Sequence, residues 1–243
     1  MQGNLLFAAF YPGYYFGVDL SWLLVMIPCV IITLAAQAKV KSTYAKYSEV
    51  LNDRGLTASQ VARRILDQNG LYEVCVSRVS GNLTDHFDPK TNVVRLSDSV
   101  CDSTSVAAIG VAAHECGHAI QHAKGYLPIK LRMAVIPICN FGSRLSLPLI
   151  LLGCLFSLQA LVNFGILLYS FLLLFQLITL PVEFNASRRA MEIIRGDGLL
   201  TEAEQQGAKK TLQAAAMTYV ASMLVALMQF LRILVIFGNR RRR

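Results

Sequence analysis

The sequence predicts a mainly α-helical membrane protein with a small α+β domain set among about four hydrophobic helices. Three observations carry this. Long stretches of the 243-residue chain hold no charge, a single polar segment near 38–133 alternates as short strands and helices do, and a histidine motif lies in an apolar helix inside that segment.

Residues 18–36 carry one charge, Asp19, while 145–180 and 211–231 carry none. A bilayer core of roughly 30 Å needs about 20 apolar residues per helix, and each stretch supplies that length. The 145–180 run is long enough for two, with QALVNFG as its one polar, Gly-containing interruption, so it reads as a helical hairpin within 134–180. With 54% hydrophobic residues the chain is too apolar for an ordinary soluble enzyme. Five units follow: 1–37 with the first transmembrane helix, 38–133 as the polar α+β segment, 134–180 as the hairpin, 181–213 as a further helix and loop, and 214–243 as a last hydrophobic helix with a basic tail.

The first hydrophobic run lacks the features of a cleaved signal, which places positive charge ahead of a short apolar core. Residues 1–17 hold no Lys or Arg, and Lys39, Lys41 and Lys46 follow the run. That order suits a retained anchor with its N-terminus outside and the polar segment in the cytoplasm of a bacterial plasma membrane. Arg232 and the terminal Arg240, Arg241, Arg242 and Arg243 oppose this placement for the last helix. The net charge of +8 collects at membrane boundaries, so it points to the lipid bilayer as partner and not to nucleic acid. The six cysteines form no C-x-x-C, and Cys116 stands within the histidine motif, where a reducing compartment protects it.

Within the polar segment, LTASQVARRILDQNG reads as a helix capped by Thr57 or Ser59 and stopped by Gly70. LYEVCVSRV (71–79) alternates as a half-buried strand. LTDHFDPKTNVVRLSD gives a short strand, a turn at Asp88-Pro89-Lys90 and a strand over 93–97. These predict a small antiparallel meander. STSVAAIGVAAHECGHAIQHAKG follows as a buried helix capped by Ser103 or Ser105 and ended by Gly125.

That helix contains His114-Glu115-Cys116-Gly117-His118, an H-E-x-x-H. Residues four apart share a helix face, so both imidazoles aim at one ion, as zinc ligands do. Glu115 stands beside the ion, placed to take a proton from a zinc-activated water as general base. An apolar helix has no packing reason to bury His-Glu-His, because unpartnered polar groups cost several kcal/mol. Gln121 and Lys124 occupy the positions where a metzincin needs Gly and His. His122 reads as a polar helix-end residue or a support to the site. Of the five later acids, Asp197, Glu202 and Glu204 fall in a stretch that looks solvated, and Glu192 pairs naturally with Arg188 or Arg189. Glu183, just after the hairpin, is the expected third ligand. The hairpin leaves and returns on one side, so His118 and Glu183 meet at one membrane face.

AAHECGHAIQ, a hydrophobic hairpin and then PVEFNASRRA resemble the YugP-type membrane zinc metallopeptidases, bacterial proteins related to HtpX-like and CAAX prenyl-endopeptidase-like enzymes. GLTASQVARRIL, NGLYEV, LTDHFDPKTNVVRLS and AAAMTYVASML extend the likeness over about 38–237. The resemblance implies a zincin-like, gluzincin-like catalytic domain with His114, His118 and Glu183 on zinc and Glu115 as base. Two positions depart from the pattern: Cys116 stands for a β-branched residue and Asn185 for an Asp. In HtpX-like relatives an Asp that supports a zinc-binding histidine follows Glu-x-x-Ala, and that slot here is Ser187. Ser187 or Asn185 is expected to orient a ligand histidine. The strand at 83–88 is expected to pair with an extended peptide. His86 is expected to steady the oxyanion or to stabilise the turn with Asp85, and Arg188 to touch substrate or anchor the membrane edge. The implied activity is endopeptidase cleavage of peptides or membrane proteins. A non-catalytic assembly protein with a structural zinc is the competing reading, and Glu115 speaks against it, because a structural site needs no base. A transporter would want charged or broken helices at mid-membrane, which the hairpin lacks.

Overall fold

The computed structural model describes residues 20–238, with side chains from 23 to 235, so Asp19 and the terminal arginines lie outside the described residues. Among the described residues four helices are long and apolar enough to cross a membrane. α1 (Leu20–Ser48) continues without a break from the first hydrophobic run through the lysines that follow it. α4 (Leu127–Leu155) and α5 (Gln159–Gly196) are joined by a three-residue turn with Ser157 at φ 54°. α6 (Glu202–Gly238) closes the set.

α4 and α5 lie closely packed because small residues line their seam. A Cβ on Gly165 would meet Ser146 O at 2.7 Å, and one on Gly153 would meet Val162 N at 2.8 Å. Where lipid removes the hydrophobic drive between helices, such close backbone approach is what holds them.

Two boundaries differ from the sequence reading. The helix predicted to begin anew near 181 is the closing part of α5, which runs through Pro181 to Gly196. A proline removes one backbone donor, a loss tolerated inside packed apolar helices. The stretch 197–206, expected to be a solvated loop with capping-like residues, is loop only to 201 and then enters α6. There Glu204 is only 7% exposed and accepts from Thr201 N and Asp53 N, both at 2.7 Å. It therefore caps the helix and ties it to the segment after α1.

The polar segment packs around α3 (Val106–Ala123). α2 (Ala58–Gln68) begins with a capping box: Thr57 Oγ1 accepts from Gln60 N, and Gln60 Oε1 accepts from Thr57 N. Such a cap contributes about 1 kcal/mol. α2 buries Val61, Ile65 and Leu66 against α3 in a core that also takes in Val94 and Leu96, Ala190 and Ile194 of α5, and Ala208 and Leu212 of α6.

Three strands, β1 (Cys75–Val79), β2 (His86–Asp88) and β3 (Val93–Ser97), form the sheet in the order β1-β3-β2. This corrects the antiparallel meander, since β1 pairs β3 in parallel and only β2 and β3 are antiparallel. The cause lies in the 80–85 crossing. Gly81, at φ +113°, exchanges hydrogen bonds with Asp98, carrying the chain over the end of β3. Asp85 then accepts from Ser97 N at 2.7 Å and Ser97 Oγ at 2.9 Å, which fixes β2 on the far side. β3 is left central, and β2 becomes an edge.

Candidate metal centre

α3 is capped by Ser105, whose hydroxyl accepts from Ala108 N, and it buries most of its length. Helical spacing brings the rings of His114 and His118 to 4.7 Å between centroids at 85°. α5 crosses beside them and adds Glu183, which is 2% exposed. Glu183 Oε2 lies 3.2 Å from His114 Nε2 and 3.5 Å from His118 Nε2. Tetrahedral ligands about 2.0–2.1 Å from an ion stand roughly 3.3 Å apart, so the three donors fit a zinc-sized ion. Among the described residues no other His, Cys, Asp and Glu atoms gather in this way.

Two buried groups decide the protonation of the cluster. Gln121 Nε2 donates to Val182 O at 2.8 Å and Asn185 Oδ1 at 2.9 Å, which fixes its amide. Its Oε1, 3.0 Å from His118 Nδ1, can therefore only accept, so the proton of neutral His118 is on Nδ1. In neutral His118 the Nε2 lone pair then faces the Glu183 carboxylate, so the pair is satisfied either by a second proton on the ring or by a metal ion between the two acceptors. Burial alone would lower the His118 pKa, but the Glu183 hydrogen bond and the Glu115 charge outweigh it and the pKa is raised. The cluster thus draws positive charge.

Ser187 Oγ lies 3.1 Å from His114 Nδ1. Asn185 touches neither histidine and instead joins Gln121 to Arg189, whose Nε it accepts at 2.7 Å. Arg188 is turned out to an exposed pairing with Glu192 at 3.7 Å. Glu115, 8% exposed, accepts from Phe87 N at 3.0 Å, so β2 holds one oxygen of that carboxylate. His86 lines the cleft beside His114, with Nδ1 2.8 Å from Thr84 O and Nε2 left open. His122 packs against the Phe87 ring at 5.7 Å, apart from the cluster. Cys116 faces away, donating to Ala62 O at 3.5 Å, and complete burial pushes its thiol pKa well above the ordinary value.

The sequence reading missed three participants. Gln121 carries a usable signal, since it follows His118 by three on the same helix. Arg132 Nη1 donates to Glu183 Oε1 at 2.7 Å, and Tyr219 lines the cleft on both sides of the cluster. Both come from distant helices that only the fold brings near. Gln121→Leu leaves His118 Nδ1–H unpaired and its tautomer free. Zinc affinity is expected to fall by about 10–100-fold, measured by competition against a chromogenic chelator.

A family model described as "Putative neutral zinc metallopeptidase" matches residues 22–238. The "Putative membrane protease YugP" of Bacillus subtilis (strain 168) is 50% identical over 206 residues, covering 85% of this chain and 92% of that protein. No solved structure matches the chain. With the family match spanning nearly the whole chain and half of the aligned residues identical in a curated relative, the chain belongs to the neutral zinc metallopeptidase family.

Proposed function

We propose that this protein is an integral membrane zinc endopeptidase of gluzincin type, with His114, His118 and Glu183 holding the metal and Glu115 as general base. The observation that carries the reading is the convergence of three acceptors, one of them His118 Nε2 with its tautomer fixed by Gln121. When bound, zinc supplies Lewis acidity that lets water ionise near neutrality and polarises a carbonyl.

The protein's own groups do the rest. Arg132 engages Glu183 Oε1 and leaves Oε2 for the metal. Phe87 N–H holds Glu115 Oε2, so Oε1 is the atom that takes the proton from attacking water and passes it to the leaving amine. Backbone groups alternate along a strand, so Phe87 turns its N–H and C=O away from β3, and with the N–H taken by Glu115 Oε2 it is the C=O that is left for a substrate. An extended peptide adds there as a further strand. The Tyr219 hydroxyl, beside Glu183, is the donor placed to meet the developing oxyanion, whereas neutral His86, whose Nδ1–H faces Thr84 O, presents an acceptor at Nε2. A structural-zinc role is not favoured, since Glu115 opens to two cavities.

The centre lies near the cytoplasmic face of a bacterial plasma membrane in this reading. All four long helices carry cations at the end nearest the α+β domain: Lys39, Lys41 and Lys46 on α1, Lys130 and Arg132 on α4, Arg188, Arg189 and Arg195 on α5, and Lys209 and Lys210 on α6. The turn joining α4 and α5 at the other end has none. Positive charge favours the cytoplasmic side. The substrate is then a peptide or a membrane-protein segment presented at that surface.

The first test is zinc per chain in detergent-purified protein, wild type beside Glu183→Ala. About one ion per chain in the wild type and a clear loss in the mutant are expected. Full occupancy in both would remove Glu183 from the ligand set.

A further inference from the structure

On a different face from the metal cleft, α1 and α6 enclose a groove of about 530 Å³. α1 lines it with Lys39, Thr43, Lys46 and Tyr47 at helical spacing, and α6 with Lys210 and Met217. Gly207 of α6 packs on the Tyr47 ring, where a Cβ would meet Cδ1 at 2.8 Å. From that contact the groove runs towards the apolar length of both helices. Lys39 ends the charge-free part of α1, and Lys210 stands just before that of α6. The groove therefore sits where a bilayer core gives way to headgroups.

Its chemistry is one-sided. Three lysines and no carboxylate line it, and among the described residues none of the three makes an ion pair. Lys46 has only the neighbouring Tyr47 ring, 5.6 Å away. Unopposed like charges repel one another and raise the local concentration of anions. Thr43 is only 8% exposed, and among the described residues its hydroxyl has no hydrogen-bond partner. Buried polar groups are normally paired, so this one is open to an acceptor in the groove. Further into the membrane the same helix faces turn apolar. Ile32, two turns beyond Lys39, and Leu224, two turns beyond Met217, are both exposed. A ligand that fits has a negative head among the lysines and an apolar tail along Ile32 and Leu224. A zwitterionic headgroup would bring a fourth ammonium to a groove that has no carboxylate for it.

We propose that this groove binds an anionic glycerophospholipid, with Lys39, Lys46 and Lys210 around the headgroup phosphate and the Thr43 hydroxyl donating to one of its oxygens. The flexible lysine stems let all three ammoniums converge on one phosphate. The site goes beyond the peptidase reading and does not rest on it, since it needs only α1 and α6 in a bilayer. It bears on the metal centre all the same. Val40 and Tyr44 of α1 and Leu212 and Ala215 of α6 wall the metal cleft, so a lipid that clamps these two helices together also steadies that wall.

The test titrates the full-length protein in detergent with phosphatidylglycerol or with phosphatidylcholine of equal chain length, and native mass spectrometry reads the bound lipid. Phosphatidylglycerol is expected to bind at least about tenfold more tightly. Lys39→Gln, Lys46→Gln and Lys210→Gln should each weaken it about fivefold, and all three together about 100-fold. Lys41→Gln removes the same charge at an exposed position of α1 outside the groove and should change nothing. Ser42→Trp fills the groove from an exposed lining position with no change of charge, and it should erase the preference. Phosphatidylglycerol should also raise the melting temperature, as a ligand of the folded pair of helices does, and the triple variant should lose that rise. Equal affinity for the two lipids overturns the proposal. So does a loss with Lys41→Gln as large as with Lys39→Gln, or an unchanged preference in Ser42→Trp. Displacement of the lipid by an equal concentration of inorganic phosphate would mark a plain phosphate site and overturn it too. Each outcome is read without reference to zinc content or peptide cleavage.

Discussion

Glu115→Gln is expected to abolish peptide hydrolysis while leaving zinc and fold in place. The glutamine oxygen still accepts from Phe87 N–H, the contact Glu115 Oε2 makes now, so β2 keeps its position. No proposed ligand is removed, because the three donors that could hold a metal belong to His114, His118 and Glu183. What disappears is the second carboxylate oxygen, the group that accepts a proton from water. Base catalysis of this kind contributes about 10²–10⁴-fold, and kcat should fall by that factor with KM little changed. Metal analysis and thermal melting on the same preparation separate this from unfolding. Hydrolysis at the wild-type rate in the variant would remove Glu115 from the mechanism.

Gly117→Ala is expected to damage the centre without touching a ligand. A Cβ at Gly117 would stand 2.8 Å from Ala186 O and 3.3 Å from Ala186 Cα. Both are backbone atoms of α5, so neither can swing aside. α3 and α5 must separate by several tenths of an ångström, and the gap opens between the two histidines and Glu183. Overpacking of this type costs about 1–3 kcal/mol. The melting temperature of the zinc-loaded protein should drop, and zinc affinity should drop further than any loss of stability explains. A variant that melts and binds zinc as the wild type does would show that this contact does not set the spacing of the donors. The glycine between the histidines is thus a spacing residue as well as part of a motif.

Much of this was legible in the sequence. The N-cap, offered as Thr57 or Ser59 and found at Thr57, the turn after Asp88 and the end of α3 at Gly125 depend on neighbours in the chain, and local chemistry pointed to each of them. The two histidines were legible for the same reason, since four residues make one helical turn. Glu183 was found by elimination, aided by the hairpin's return to one membrane side. The parallel pairing of β1 with β3 was not legible, because it is decided by Asp85 reaching Ser97, twelve residues away, after the chain has crossed the sheet end. Glu204 looked solvated because its partner amide, Asp53 N, is 151 residues distant. Arg132 and Tyr219 were hidden likewise: a cation at a helix start and a tyrosine in an apolar helix carry no local mark of the metal.

α5 has a consequence beyond geometry. It runs unbroken from the turn after α4, through Pro181, to the Glu183 that completes the cluster. His114 lies 69 residues before that carboxylate, with all of α4 and most of the apolar length of α5 between them. During synthesis the histidines therefore emerge well before their third partner. That partner arrives only once the α4–α5 pair has entered the bilayer and turned back. Under the proposed metal site, zinc capture would follow the pairing of α4 with α5, and a chain halted before that step would hold two of the three donors and lack the third.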